Sequence, residues 1–165
     1  MKASISIVLF LTTGLTVLSQ PVWKEYIFDK HDFKIDFCGR PEYSVDSSVF
    51  NQLKLGTCFW EVKADDPLDD NIYYSVSRAV YPSEFIHSDS LPAVVDGFIS
   101  STQSSLTGDE NFTLLSSSLA EKHGYQGKIF KWESNSNNVF LEFHVYLVKN
   151  VLFELSVVTR EGKKS

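Results

Sequence analysis

The chain has 165 residues, with 15 Lys and Arg against 21 Asp and Glu, a net charge of −6 and 14% aromatic residues. That acid excess leaves no basic footprint for nucleic acid and disfavours contact with anionic lipid. The length fits one domain of ordinary size with a buried core.

The chain opens on Met1, Lys2, Ala3 and Ser4 and then runs apolar from Ile5 to Leu18, broken by Thr12, Thr13, Gly14 and Thr16. A short basic start before an apolar stretch of this length reads as an export signal. A membrane anchor needs about 20 uninterrupted apolar residues. Val17 and Ser19 occupy the two small-residue positions, so cleavage is expected between Ser19 and Gln20. No Cys stands there to carry a lipid, and no second apolar run is long enough to span a bilayer after cleavage. The expected organisation is a signal over 1–19 and a single domain over 20–165, secreted or periplasmic. Only Lys2 among the charged residues is lost, so the mature part is more acidic still.

Period-two alternation dominates the mature part. Phe33, Ile35 and Phe37 alternate with Lys34 and Asp36, and a second strand is expected from Lys54 to Lys63 and a third from Ile72 to Val80. Between the last two, Asp65-Asp66-Pro67-Leu68-Asp69-Asp70-Asn71 is dense in turn formers and predicts an exposed hairpin loop. The pattern then changes. Val94, Val95, Phe98, Ile99 and Leu106 have the spacing of one apolar helical stripe, predicting a helix over 92–105 with Ser90 as a candidate N-cap and Gly108 closing the segment. Strands are expected again over 112–119, 127–132, 139–148 and 151–158, with Glu133 to Asn138 as a loop and Lys149-Asn150 as a tight hairpin. The predicted fold class is therefore α+β: an antiparallel sheet of about six to eight strands with one main amphipathic helix packed on a face.

Cys38 and Cys58 both lie beyond the signal. In an oxidising compartment two thiols are usually paired, and this bridge would contribute about 3 kcal/mol. A redox or metal pair would call for CxxC spacing or a nearby His, and neither is present. The acidic loop Asp65, Asp66, Asp69, Asp70 lacks the spacing of a calcium loop and is interrupted by Pro67 and Leu68. His31, His87, His123 and His144 are scattered without metal-ligand spacing. Asp109 and Glu110 are an acid pair in a predicted loop. No nucleophile elbow, phosphate loop, HExxH or dinucleotide fingerprint occurs. The expectation is no catalytic, cofactor-binding or metal residues and no cofactor. Trp60 and Trp132 fall in strands and suit the core, whereas Trp23 suits either a pocket or a partner surface. Asn111-Phe112-Thr113 is a glycosylation sequon of relevance only to a eukaryotic secretory route.

Taken in order, these segments resemble the PsbP family, the extrinsic photosystem II subunit and its exported bacterial relatives. The resemblance rests on Phe33-Lys34-Ile35-Asp36-Phe37-Cys38-Gly39-Arg40-Pro41, which is similar to the family's opening strand and turn. Ile72 to Pro82 is similar to the strand before its helix, Gly124 to Phe130 to the turn entering the late meander, and Val148 to Val158 to the strand after that turn. Two departures stand out. Cys38 occupies a position where relatives tend to have Pro, and relatives continue into a C-terminal helix where this chain stops at Ser165, which would leave one sheet face less covered. The resemblance implies a domain built on an antiparallel sheet and a non-enzymatic, assembly-stabilising role; it transfers no functional residue. The functional expectation is an exported, non-catalytic domain binding a protein or envelope partner. The alternative is a small-molecule or lipid carrier with an aromatic-lined pocket, and an enzyme of unrecognised type is the third reading.

Overall fold

The computed structural model describes residues 22–50, 53–64, 70–83, 86, 93, 96–97, 112–134, 136 and 138–160. Nine strands run through them: β1 (Lys24–Phe28), β2 (Phe33–Phe37), β3 (Glu42–Phe50), β4 (Leu53–Lys63), β5 (Asn71–Val80), β6 (Phe112–Lys122), β7 (Tyr125–Ser134), β8 (Val139–Val148) and β9 (Val151–Arg160). β3 to β9 form one seven-stranded sheet in the order β3-β4-β5-β9-β8-β7-β6, and β1 and β2 form a separate two-stranded sheet. Every pairing is antiparallel.

This corrects the α+β expectation. Among the described residues the architecture is almost wholly antiparallel strand, in two sheets rather than one, with no main helix. The helix expected over 92–105 lies outside the described residues apart from Ala93, Asp96 and Gly97. The export signal with its Ser19–Gln20 cleavage point also lies outside them, as do His87, Asp109, Glu110, Asn111 and, in the acidic loop, Asp65, Asp66 and Asp69. No helix among the described residues is long and apolar enough to cross a membrane.

Tight turns set the register. Lys149-Asn150 joins β8 to β9 as expected, with Lys149 at φ 58° and Val148 opposite Val151. Asn150 is tied to the end of β5: its Nδ2 donates to the Tyr81 carbonyl at 2.6 Å, and its carbonyl accepts from the Tyr81 amide at 2.9 Å. The β6–β7 turn places His123 at φ 54° and Gly124 at φ 80°. Two consecutive positive φ values are the requirement of the hairpin turn whose twist matches the flanking strands.

The pairing registers divide the large sheet into two faces, because side chains alternate along each strand. One face carries Trp60 and Val62 of β4, Tyr74 and Val76 of β5 and Leu155 and Val157 of β9, and Phe37 of β2 completes this cluster with Tyr26, Phe28, Phe33 and Ile35 packed against it. The β1–β2 hairpin is therefore a lid over the β4–β5–β9 half of this face. Aromatic edges hold it there: Phe28 and Phe33 lie 4.9 and 4.8 Å from the Trp60 ring, and Trp23 meets Tyr74 edge-on at 5.2 Å. The opposite face carries the second cluster, Phe130 and Trp132 of β7, Phe143, Val145 and Leu147 of β8 and Leu152 of β9, with Ile86, Tyr81 and Phe112. Trp60 and Trp132 are thus core residues, 2% and 1% exposed, in two separate cores.

The expected Cys38–Cys58 disulfide is not formed. The reason lies in how the β1–β2 hairpin seats on the large sheet. Gly39, next to Cys38, abuts the Val62 side chain, whereas Cys58 sits four residues away along β4. Both cysteines pack around the same core, yet they are not brought close enough to bond. Trp60 lies between the two positions on the same face, and the Cys58 sulfur is instead 3.5 Å from the Tyr43 hydroxyl.

Candidate binding cleft

The hairpin covers only half of its face, and the uncovered part beside it is a cleft of about 720 Å³. Val76, Leu155, Phe153, Tyr146 and Val148 lie along it from β5, β9 and β8, and we take these as its floor. One wall is the β1–β2 hairpin, with Phe33, Lys34, Ile35 and Asp36 of β2, Asp32 just before it and Glu25 of β1. The other is the β6–β7 turn, with Lys122, His123 and Tyr125. The sheet order explains this placement, since β8, β7 and β6 extend beyond β9 on the side that the hairpin leaves open.

Each wall is held by local structure. A single 3-10 turn over Asp29–His31, with Asp32 next at φ 57°, reverses the chain so that Phe28 pairs with Phe33. Phe33 then packs on Phe153 at 5.6 Å, seating β2 against the sheet. On the far side Tyr146 lies opposite Gly127, where the absent side chain lets the ring lie close to the β7 backbone. The charges divide by wall. Lys34 is bound to Glu25 at 2.8 Å, a contact that raises the Lys34 pKa, so Asp32 and Asp36 leave the β2 wall acidic. Lys122 makes the turn wall basic, and neither it nor His123 is in an ion pair among the described residues. A smaller hollow of about 510 Å³ opens beyond the same turn, lined by residues including Ile86, Tyr125, Gln126, Leu147 and Asn150.

The most displaced titrating groups lie on the opposite face. There Tyr73 donates to Glu61, Ser75 and Ser156 are 2.6 Å apart, and Ser77 donates to Glu154 at 3.4 Å, forming a polar stripe across β4, β5 and β9. Burial, then the Glu61 contact, pushes the Tyr73 hydroxyl pKa up, and burial pushes the Glu154 carboxyl up to about 7. On the uncovered face, Glu142 binds Lys131 at 2.8 Å and His144 at 2.6 Å. Burial opposes its ionisation, yet those two partners hold its pKa below the ordinary value.

The residues singled out in the sequence do not converge. Cys38 and Cys58 pack around the first core, and His31 stands 5.0 Å from the Trp60 ring. His144 is held by Glu142, and of the described histidines only His123 reaches the cleft. No group of three or more His, Cys, Asp or Glu among the described residues is arranged to hold a metal ion. The cleft residues escape sequence reasoning because they come from strands far apart in the chain. One local signal is legible, the His123-Gly124 dipeptide at a hairpin turn.

No family model matches this chain, and no curated protein matches it by sequence. Among solved structures it is similar to cyanobacterial PsbP from Synechocystis sp. PCC 6803, with a TM-score of 0.57 and 13% identity over 88% of this chain and 84% of that one. A protein of unknown function from Pseudomonas aeruginosa, PA94, aligns over 84% of this chain and 83% of its own with 12% identity and a TM-score of 0.43. At such identities the first likeness concerns the fold alone: the chain has a PsbP-like fold.

Proposed function

We propose that the chain is an exported, non-catalytic binding domain that engages a protein or envelope partner through the cleft between β2 and the β6–β7 turn. The observation that carries this reading is the cleft itself, with an apolar floor, charged walls and a volume in the range of ligand sites. Two features support it. Tyr73 and Glu154 lie on the other face of the sheet, away from the cleft. The PsbP-like fold agrees with a domain that binds rather than transforms.

The reading is tested by placing a photo-crosslinking amino acid at Val148, in the cleft, and at Leu115, an exposed position on β6. Crosslinking in the exporting cell is expected to give one discrete adduct from Val148 and none from Leu115. Equal labelling from both positions, or none from Val148, would remove the cleft as the binding site. The same floor also favours a second reading, an amphipathic small molecule, which would show as a small mass increment on the labelled protein instead of a protein-sized one. Export has its own check: the intact mass of the mature product should correspond to a chain beginning at Gln20, and a product that keeps residues 1–19 counts against it.

A further inference from the structure

β2 meets the cleft in an unusual way. In a strand, alternate side chains point to opposite faces. Phe33 and Ile35 pack toward the sheet while Lys34 and Asp36 are exposed, yet all of them line the same cleft, together with Asp32 before the strand and Glu25 of β1, which reaches it over the Lys34 side chain to which it is paired. Four consecutive strand residues line one space when the strand presents its main-chain edge to it. Among the described residues β2 pairs with β1 alone, so this edge carries backbone N–H and C=O groups with no strand beside them. Such an edge is a template for another strand.

We propose that the cleft takes an extended peptide segment that adds to β2 as a third strand, with a peptide carboxylate held by Lys122 and His123. This rests on the reading of the cleft as the binding site. β2 is about 17 Å long at the usual rise per residue, so it accommodates a segment of similar length. The side chains of such a strand that turn toward the sheet meet Phe153, Tyr146 and Leu155, and the alternate ones face solvent. Adding a strand thus supplies affinity through main-chain bonds and selectivity through every second side chain. Charge sets the placement. Glu25, Asp32 and Asp36 repel a carboxylate from the β2 side, whereas Lys122 attracts it to the turn wall, where a ring N–H of His123 is available to donate to it. The occupant is therefore an apolar-alternating segment that is acidic at the end nearest the β6–β7 turn.

The probe is a fluorescein-labelled hexapeptide of alternating valine and threonine with a free C-terminal carboxylate, monitored by fluorescence anisotropy with the mature protein. Two further peptides carry N-methyl groups on the odd or on the even amides. Only one edge of an added strand faces β2, so one N-methyl set is expected to weaken binding about tenfold, the effect of losing two hydrogen bonds. The other set should change it less than about twofold. Amidating the C-terminus should weaken binding about fivefold in the parent protein and hardly at all in the Lys122→Ala variant. No binding of the parent peptide, or equal binding of both N-methyl sets, overturns strand addition. An amidation effect unchanged by Lys122→Ala overturns the carboxylate assignment. Strand addition can fail while crosslinking from Val148 persists, and that combination leaves the cleft as the site of a differently shaped partner.

Discussion

Replacing Gly127 with alanine is expected to cost about 3 kcal/mol or more of stability, enough to remove a large share of what holds a domain of this size folded. Gly127 sits on β7 opposite Tyr146 of β8. A Cβ at that position would be driven into the Val145 carbonyl oxygen and would lie 2.5 Å from Tyr146 Cδ1. The ring can rotate away, but the carbonyl belongs to the β8 backbone and shifts only if the β7–β8 ladder is distorted. Val145 is fully buried and sits in the second core, so distortion there also disturbs Phe130 and Leu147. The control is Gly56 on β4, where an added Cβ meets nothing within 4 Å. Gly56→Ala should be neutral or stabilising by up to about 1 kcal/mol, because glycine is a poor strand residue. Urea melts of the two variants beside the parent check both statements. A Gly127→Ala midpoint equal to the parent's would show that the backbone accommodates the methyl group. Because Tyr146 lines the cleft, any folded fraction of this variant should also bind the peptide probe more weakly.

The same packing shows which parts of the fold are legible in the sequence. β8 and β9 are readable because apolar runs flank a two-residue turn, Lys149-Asn150, at which the chain must reverse. β3 escapes such reading although Tyr43, Val45 and Val49 fall at alternate positions, because Ser47 breaks the apolar series between them. Tyr43 and Val45 remain 53% and 60% exposed on this edge strand, so burial imposes no strong apolar pattern there. β1 escapes it because Lys24-Glu25-Tyr26-Ile27-Phe28 is short and only partly alternating. A disulfide is the reasonable expectation from compartment and spacing, but whether two cysteines meet depends on how the β1–β2 hairpin seats on the large sheet, which spacing along the chain does not carry. The cleft is the least legible feature. Its floor and walls join Phe33 with Phe153 and Lys122, residues brought together by the hairpin folding back over one half of the sheet and by the order of the strands. Alternation tells how residues divide between faces, and says nothing of which half of a face another element will cover.

Glu154 supplies the clearest pH dependence. It lies on β9 opposite Ser77 of β5 and Val145 of β8, so its immediate cross-strand neighbours are a hydroxyl and an aliphatic side chain, with no cation among them. Burial disfavours its charged form, and the Ser77 hydrogen bond offsets this only in part, leaving the folded pKa at about 7 against 4.5 for the ordinary group. The folded state therefore holds this proton more tightly than the unfolded state does. Where the folded state binds more protons, stability falls as pH rises. The contribution of Glu154 is fully favourable below pH 4.5, is lost between 4.5 and about 7, and stays lost above that. Glu154→Gln keeps the shape and the acceptor for Ser77 while removing the charge. At pH 8 it is expected to be more stable than the parent by about 2–3 kcal/mol, and near pH 4 to match it within about 0.5 kcal/mol. Urea melts of both proteins at the two pH values measure the difference of differences, which cancels the other titrating groups they share. A gap of the same size at both pH values would mean that the substitution acts through packing. The gain should also leave peptide binding unchanged, because Glu154 and the cleft occupy opposite faces of β9: the charge destabilises the sheet from the side that the proposed ligand does not touch.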